Sequence, residues 1–267
     1  MSLRDSEWVR PGLDCFADVI LPMSQPTSAS DLIRTHLARV SQLRAQAQAQ
    51  GLQTAVDHIK HLQAQRFRGT YIDFLEHPKY APATRFFLEE LYGVHDFARR
   101  DAQFARIAGA LERLFPQAVS LLAVDLAETH SLTEVLDHQL ATQWLALDTS
   151  LPAAERYILA WRQTDARASR ERQLAVVQHM GLELQRLTQM KTLRLGLRMM
   201  RNPARAAGLD ALQHFLESGF DAFAFLGDAR PFLVTILQRE SSWVDALFEK
   251  DVASCSALLN EELARGT

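Results

Sequence analysis

Three side chains in ETHSLTEVLDHQL, His130, Glu134 and His138, stand four residues apart, the spacing at which one helix can present ligands to a transition metal. Projection argues against that use. At about 100° per residue, Leu121, Leu122, Leu126, Leu132, Leu136 and Leu140 set a buried direction; Glu134 and His138 point nearly opposite to it, and His130 lies about 110° off. A site there would lie open to water with nothing to orient the imidazoles, so a solvated face is expected, with no metal and no other cofactor. Ser131 and Glu134 have capping-box spacing, and a helix restarting there would uncouple the projection on either side. Asp57, His58 and His61 likewise turn away from Val56, Ile59 and Phe67.

The same projection turns Asp125 inward, between Leu122, Leu132 and Leu136. A carboxylate taken out of water must be neutralised, paired or hydrogen-bonded. The expected role is a partnered Asp that fixes helix register; the alternative is a proton-transfer carboxylate with a raised pKa in a pocket between helices. Glu183 in QHMGLELQRL, at the edge of an apolar face with His179 one turn before it, completes the buried-polar candidates.

The stretch KTLRLGLRMMRNPARAAG carries Lys191, Arg194, Arg198, Arg201 and Arg205 and no acid. On a helix these cations fall in one arc of about 80°, with Leu193, Leu197 and Met200 about a third of a turn away. Such a face could track phosphates, touch anionic lipid heads or receive an acidic partner helix. The bland alternative is a solvated face whose arginines pair with acids elsewhere, although a self-satisfied helix usually interleaves acids at four-residue spacing. Pro203 breaks the run, so Arg205 need not share its axis.

Aromatic residues gather in two groups, Phe86, Phe87, Tyr92, Phe97 and Phe104 around Gly93, and Phe215, Phe220, Phe223, Phe225 and Phe232 further on. Core packing is expected of most, with a cavity or a face for a second copy of the chain as alternatives. Arg99 and Arg100, before Asp101, are expected to clamp the two helices of the hairpin around Gly93 by ion pairs, which at a surface are worth little.

Apolar residues recur at three- and four-residue steps between scarce Gly and Pro, which predicts an all-α multi-helix bundle of about nine helices and no sheet. Residues 1–29 read as an irregular N-terminal segment and 30–267 as a single helical domain, with 148–151 as the alternative boundary if the helices form two. Helices are expected over 31–50 and 52–76, the latter bent at Gly69 and stopped by His77-Pro78. Gly93 and Asp96 are expected to end and cap the two arms of a helical hairpin, Pro116 to open a long helix to about 145, and Asn202-Pro203 to break the basic helix. At 267 residues, 48% hydrophobic and 23% charged with net charge −3, the chain has the proportions of a folded domain and lacks the global positive charge of a nucleic-acid coat protein. Two distant cysteines without CxxC spacing point to a reducing compartment. Acids interrupt the N-terminal apolar residues, unlike a secretory signal, and no run reaches the roughly 18 apolar residues of a membrane span, so a cytoplasmic protein is expected.

FFLEELYGVHDFARRDAQFARI and MMRNPARAAGLDALQHFLESGFDAF resemble segments of an uncharacterised family of bacterial all-helical proteins, over roughly residues 55 to 250. The resemblance implies a bacterial helical protein and supplies no reaction or site residue. Phosphate loops, nucleophile elbows, HExxH, EF-hand loops and paired ExxH motifs are missing. The expected function is therefore non-catalytic binding or regulation, with Lys191 to Arg205 facing an anionic partner. The alternative is an enzyme or small-ligand carrier whose inter-helix pocket contains a buried carboxylate.

Overall fold

A computed structural model describes residues 28–91 and 97–267, and every regular element among them is helical. Helix α1 (Ala29–Ala49) starts where the Ser28 hydroxyl accepts the Asp31 N–H at 3.1 Å and the Glu112 carboxylate accepts the Ala29 N–H at 3.1 Å. It stops before Gly51, whose φ of +68° suits a residue without a side chain. The helix predicted over 52–76 is two pieces, α2 (Gln53–Thr70) and α3 (Ile72–Glu76), interrupted at Tyr71. His77 ends it with ψ 118°, the extended backbone that Pro78 requires.

Next come α4 (Ala81–Phe86), a π-helical turn (Phe87–Leu91) and α5 (Ala98–Leu114). The predicted Gly93 stop and Asp96 cap lie outside the described residues, as do Tyr92 and residues 1–27 of the N-terminal segment. Pro116 precedes α6 (Gln117–Ala146), which is followed by α7 (Ala153–Gln163) and α8 (Arg167–Thr188). The basic stretch forms α9 (Lys191–Met199) and α10 (Arg201–Ala206), so its break falls at Met200, slightly ahead of the predicted Asn202-Pro203. Pro203 sits in the first turn of α10, where a missing N–H costs no helical bond. Helices α11 (Asp210–Leu226), α12 (Arg230–Glu249) and α13 (Val252–Arg265) complete the fold, more elements than the predicted nine because the short pieces are separate. Helix α13 crosses α2 so closely that a Cβ on Gly69 would run into the Glu262 backbone. Among the described residues no helix is long and apolar enough to cross a membrane.

Helix α6 is the axis of the bundle, covered by α1, α2, α5, α7 and α8. It buries Ala123, Ala127, Glu134, Leu136, Asp137, Leu140, Ala141 and Trp144, more than half of its circumference. This corrects the projection from its leucines. Leu121 is 49% exposed, whereas Glu134 and Asp137 are 5% and 1% exposed. A helix packed on several sides has no single apolar stripe, and its true buried arc centres roughly a quarter turn from the mean direction of those leucines.

Candidate functional site

A cavity of about 80 Å³ lies between α2, α6, α7, α8 and α12, with the π-helical turn closing one side. Its walls are aromatic over much of their extent, from Phe67, Tyr71, Phe74, Phe87, Trp161 and Phe232. Among these rings stand Gln63, Arg66, Thr133, Tyr157, Arg170, Gln173 and Glu240. Each polar residue occupies a core register of its helix. Gln63 and Arg66 continue the stripe of Ile59 and Leu62, Arg170 and Gln173 precede Val177 and Met180, and Glu240 lies between Leu233 and Val244.

Arg66 and Glu240 form a two-pronged ion pair, Nη1 to Oε1 at 2.7 Å and Nη2 to Oε2 at 2.8 Å, and the Tyr71 hydroxyl donates to Oε1 at 2.8 Å. Burial works against the Arg66 charge, yet Glu240 holds its pKa above the ordinary arginine value. Burial, and after it the Glu240 charge, pushes the Tyr71 hydroxyl up. With both carboxylate oxygens occupied, Glu240 has little capacity left for proton transfer.

Across the cavity the Arg170 guanidinium stacks on the Trp161 ring, 3.9 Å from its centroid. Gln173 donates to Thr133 Oγ1 at 2.7 Å, and Thr133 donates onward to the Thr129 carbonyl at 2.9 Å. The buried donor Trp161 Nε1 on the lining has no hydrogen-bond partner, and Gln63 Nε2 has none within hydrogen-bonding distance although it lies near enough to Asp137 and Tyr157 to act on both. Behind this wall neither carboxyl oxygen of Asp137 has a partner at bonding distance. Burial raises the Asp137 pKa to about 6, against the pull of Lys60, Arg170 and the nearby Gln63 amide. Burial likewise pushes the Tyr157 hydroxyl up to about 12.

A second buried polar cluster surrounds His130 and Glu134, the pair that projection had turned to solvent. His130 Nε2 meets Asp101 Oδ2 at 2.9 Å, and Arg44 donates to the same oxygen at 2.9 Å. Lys60 donates to Glu134 at 2.7 Å, with Arg44 at 3.4 Å. Burial opposes ionisation of both carboxylates, but the His130 hydrogen bond with Arg100 and Arg44 at Asp101, and Lys60 with His130 and Arg44 at Glu134, hold their pKa values below the ordinary range. The cluster is a closed ion network tying α1, α2 and α5 to α6. His138 is partly buried one turn beyond Glu134 and joins none of these bonds. Among the described residues no group of three or more His, Cys, Asp or Glu is placed to hold a metal ion.

The three buried-polar candidates lie nearer the surface than projection placed them. Asp125 sits at the edge of the buried arc of α6 and is half-buried; its Oδ2 meets Nδ1 of an exposed His179 at 2.7 Å. Burial first, opposed by His179, leaves the Asp125 pKa raised. Glu183 pairs with Arg186 along α8 at 2.8 Å and is part-exposed. None of the three lines the cavity.

The cationic residues are exposed, and α9 buries none of its side chains. Arg194 bonds Asp221 of α11 at 2.9 Å, Arg198 approaches the same carboxylate at 4.0 Å, and Arg201 bonds Glu217 at 2.7 Å. The acids missing from the stretch itself are thus supplied by α11. Lys191 and Arg205 are also exposed, and beside the row Leu195 and Met199 are 60% and 70% exposed. Most of the two aromatic groups is core; Phe225 is exposed. Arg99 pairs with Asp210 of α11 at 2.7 Å, and Arg100 donates to the Glu90 carbonyl at 2.6 Å.

The cavity residues were missed because arginine, glutamine and glutamate read as surface types. Their signal was available in the periodicity: Ile59, Leu62 and Arg66 are spaced as one buried stripe, as are Leu233, Glu240, Val244 and Leu247.

A family model described as Domain of unknown function (DUF8198) matches residues 42–254, past both ends of the 55–250 resemblance. No curated protein and no solved structure matches the chain.

Proposed function

The chain belongs to the DUF8198 family, which carries no assigned reaction, and we propose that it is a binding protein that takes a small molecule into the cavity between α2, α6, α7, α8 and α12. The observation that carries this reading is a buried donor without a hydrogen-bond partner, Trp161 Nε1, on a residue that lines a cavity. Buried polar groups in folded proteins are nearly always satisfied, and a ligand is one way to satisfy them. Binding is favoured over catalysis because the carboxylate of the cavity wall, Glu240, is committed to Arg66 and Tyr71. The same reading takes the protein to be bacterial, from the resemblance of its segments, and cytoplasmic, from its two distant cysteines, of which Cys255 is free and buried.

The test is a thermal-shift screen of small metabolites against the wild-type chain and against Ile236→Phe, which enlarges a partly buried lining residue. Compounds that raise the wild-type melting temperature are expected to lose that effect in Ile236→Phe. Absence of any shift, or shifts that persist in the variant, would remove the cavity from consideration.

A second reading rests on a different observation, the exposed Leu195 and Met199 beside Lys191, Arg194 and Arg198. An amphipathic cationic face of that composition suits an anionic partner, an acidic protein face, nucleic acid or lipid headgroups. The exposed Phe225 ring on α11 would serve contact with a second copy of the chain. Reversal of Arg194, Arg198 and Arg201 to Glu should then abolish salt-sensitive association while leaving the helical signal intact.

A further inference from the structure

We infer that α9 docks on an anionic lipid surface, with Leu195 and Met199 entering the headgroup boundary and Lys191 and Arg198 meeting the lipid phosphates beside them. The inference rests on the reading of Lys191 to Arg205 as a face for an anionic partner and adds which partner that is.

The order of side chains around α9 carries it. Leu193 and Leu197 are the partly buried residues of this helix and mark the direction of the bundle. At about 100° per residue, Leu195 projects about 180° from that direction, straight outward, and is 60% exposed. Met199 and Lys191 flank it about 40° to either side, and Arg198 stands about 60° from it on the side of Lys191. The summit of the helix is therefore apolar, and cations border it. Single exposed apolar side chains are ordinary on a protein surface, but these two stand one turn apart on the outermost line of a helix that buries none of its residues. Met200, exposed at the break that follows, extends the apolar surface.

Charge selects the sign of the partner. Lys191, Arg194, Arg198, Arg201 and Arg205 are met by two acids of α11, Asp221 and Glu217, so these seven side chains carry a net charge of +3 in a chain whose total is −3. Arg194 and Arg201 are turned toward those acids, away from the summit, whereas Lys191 and Arg205 form no ion pair among the described residues.

The apolar summit selects lipid among anionic partners. Nucleic acid presents rows of phosphates and calls for cations at the point of closest approach, where Leu195 and Met199 would instead be pressed against charged backbone. A folded acidic partner would have to supply a fitted groove for the two side chains. The boundary between headgroups and acyl chains needs no fit: it takes up apolar side chains of any shape while lysine and arginine reach sideways to the phosphates. The anionic lipids of a cytoplasmic leaflet supply the opposite charge. So small an apolar summit gives reversible attachment without anchoring.

The experiment is co-sedimentation of the full chain with phosphatidylcholine vesicles carrying about 30% phosphatidylserine, at about 1 mM lipid, and with vesicles of phosphatidylcholine alone. Labelled duplex DNA and polyglutamate, read by fluorescence anisotropy, stand for the other anionic partners. Leu195→Gln/Met199→Gln removes the summit, and Lys191→Gln/Arg198→Gln removes its border while leaving the Arg194–Asp221 and Arg201–Glu217 bonds in place. All four side chains are exposed, so both variants should keep the wild-type helical signal and melting temperature. Wild type should bind the anionic vesicles at least tenfold more strongly than the neutral ones, a comparison that needs neither variant, and each double variant should lose about tenfold or more. Undiminished vesicle binding by Leu195→Gln/Met199→Gln would overturn the lipid assignment, as would tighter binding of DNA or polyglutamate than of vesicles, and both results leave the anionic-partner reading standing. Equal binding to neutral and anionic vesicles, or binding to none of the four probes, would overturn the inference and that reading together.

Discussion

Arg66 and Glu240, 174 residues apart in the chain, close a two-pronged ion pair at 2.7 and 2.8 Å between α2 and α12, both side chains buried. Removing one partner leaves an uncompensated charge in the core. Glu240→Gln or Arg66→Met alone should cost about 3–5 kcal/mol, read from urea unfolding. The double variant Arg66→Met/Glu240→Leu should recover most of that loss, because a buried ion pair exchanged for apolar side chains of similar volume is often close to neutral. A double variant no better than the worse single one would mean that Tyr71, which donates to Glu240, needs the carboxylate for its own satisfaction.

Asp137 is 1% exposed, and its pKa of about 6 lies above the ordinary aspartate value of 3.8. Ionisation is therefore harder in the folded state, and this carboxyl makes the protein progressively less stable as pH rises from about 4 to about 6. Asp137→Asn removes the titration. The variant should match wild type near pH 4 and exceed it at pH 7 by up to about 3 kcal/mol, measured by urea unfolding across that range. A destabilised variant at pH 7 would show that the charge of Asp137 is needed by Lys60 and Arg170.

Glu134 should behave with the opposite sign. Burial opposes its charge, but Lys60 and Arg44 hold its pKa below the ordinary glutamate value, so it stabilises the fold above about pH 4.5 and loses that contribution as pH falls through its folded pKa. Glu134→Gln leaves Lys60 and Arg44 without their shared anion and should cost about 2–4 kcal/mol at pH 7. The gap to wild type should narrow on acidification. A gap independent of pH would assign the effect to packing.

Much of the fold was legible because its punctuation is local. Gly51 with positive φ, Pro78 forcing His77 out of the helix, and Pro116 ahead of α6 act within a few residues of themselves, so sequence alone marks their helix ends. The site was less legible, because burial on α6 depends on how many helices surround it. Projection assumes one apolar stripe, and α6 is covered by α1, α2, α5, α7 and α8, so its leucines point to only part of its buried arc. His130 and Glu134 were misplaced for that reason, and Asp125 was drawn inward when it lies at the edge of the arc facing His179. The cavity brings together residues as distant as Gln63 and Glu240, and no spacing rule connects them.

The cationic row tests how far an exposed ion pair can be discounted. Arg194 and Arg201 bond Asp221 and Glu217, yet their side chains are 44% and 57% exposed, and α9 has no buried residue to lose. Exposed pairs contribute little because water already solvates both partners. Arg194→Ala and Arg201→Ala should therefore leave the melting temperature and the far-ultraviolet helical signal indistinguishable from wild type, in contrast to Glu134→Gln, whose partners are enclosed. Melting that falls with either alanine would mean that the pairs to α11 pin α9 and α10 to the bundle; charge reversal of the row would then unseat those helices as well as change their charge, and could not by itself test an anionic partner.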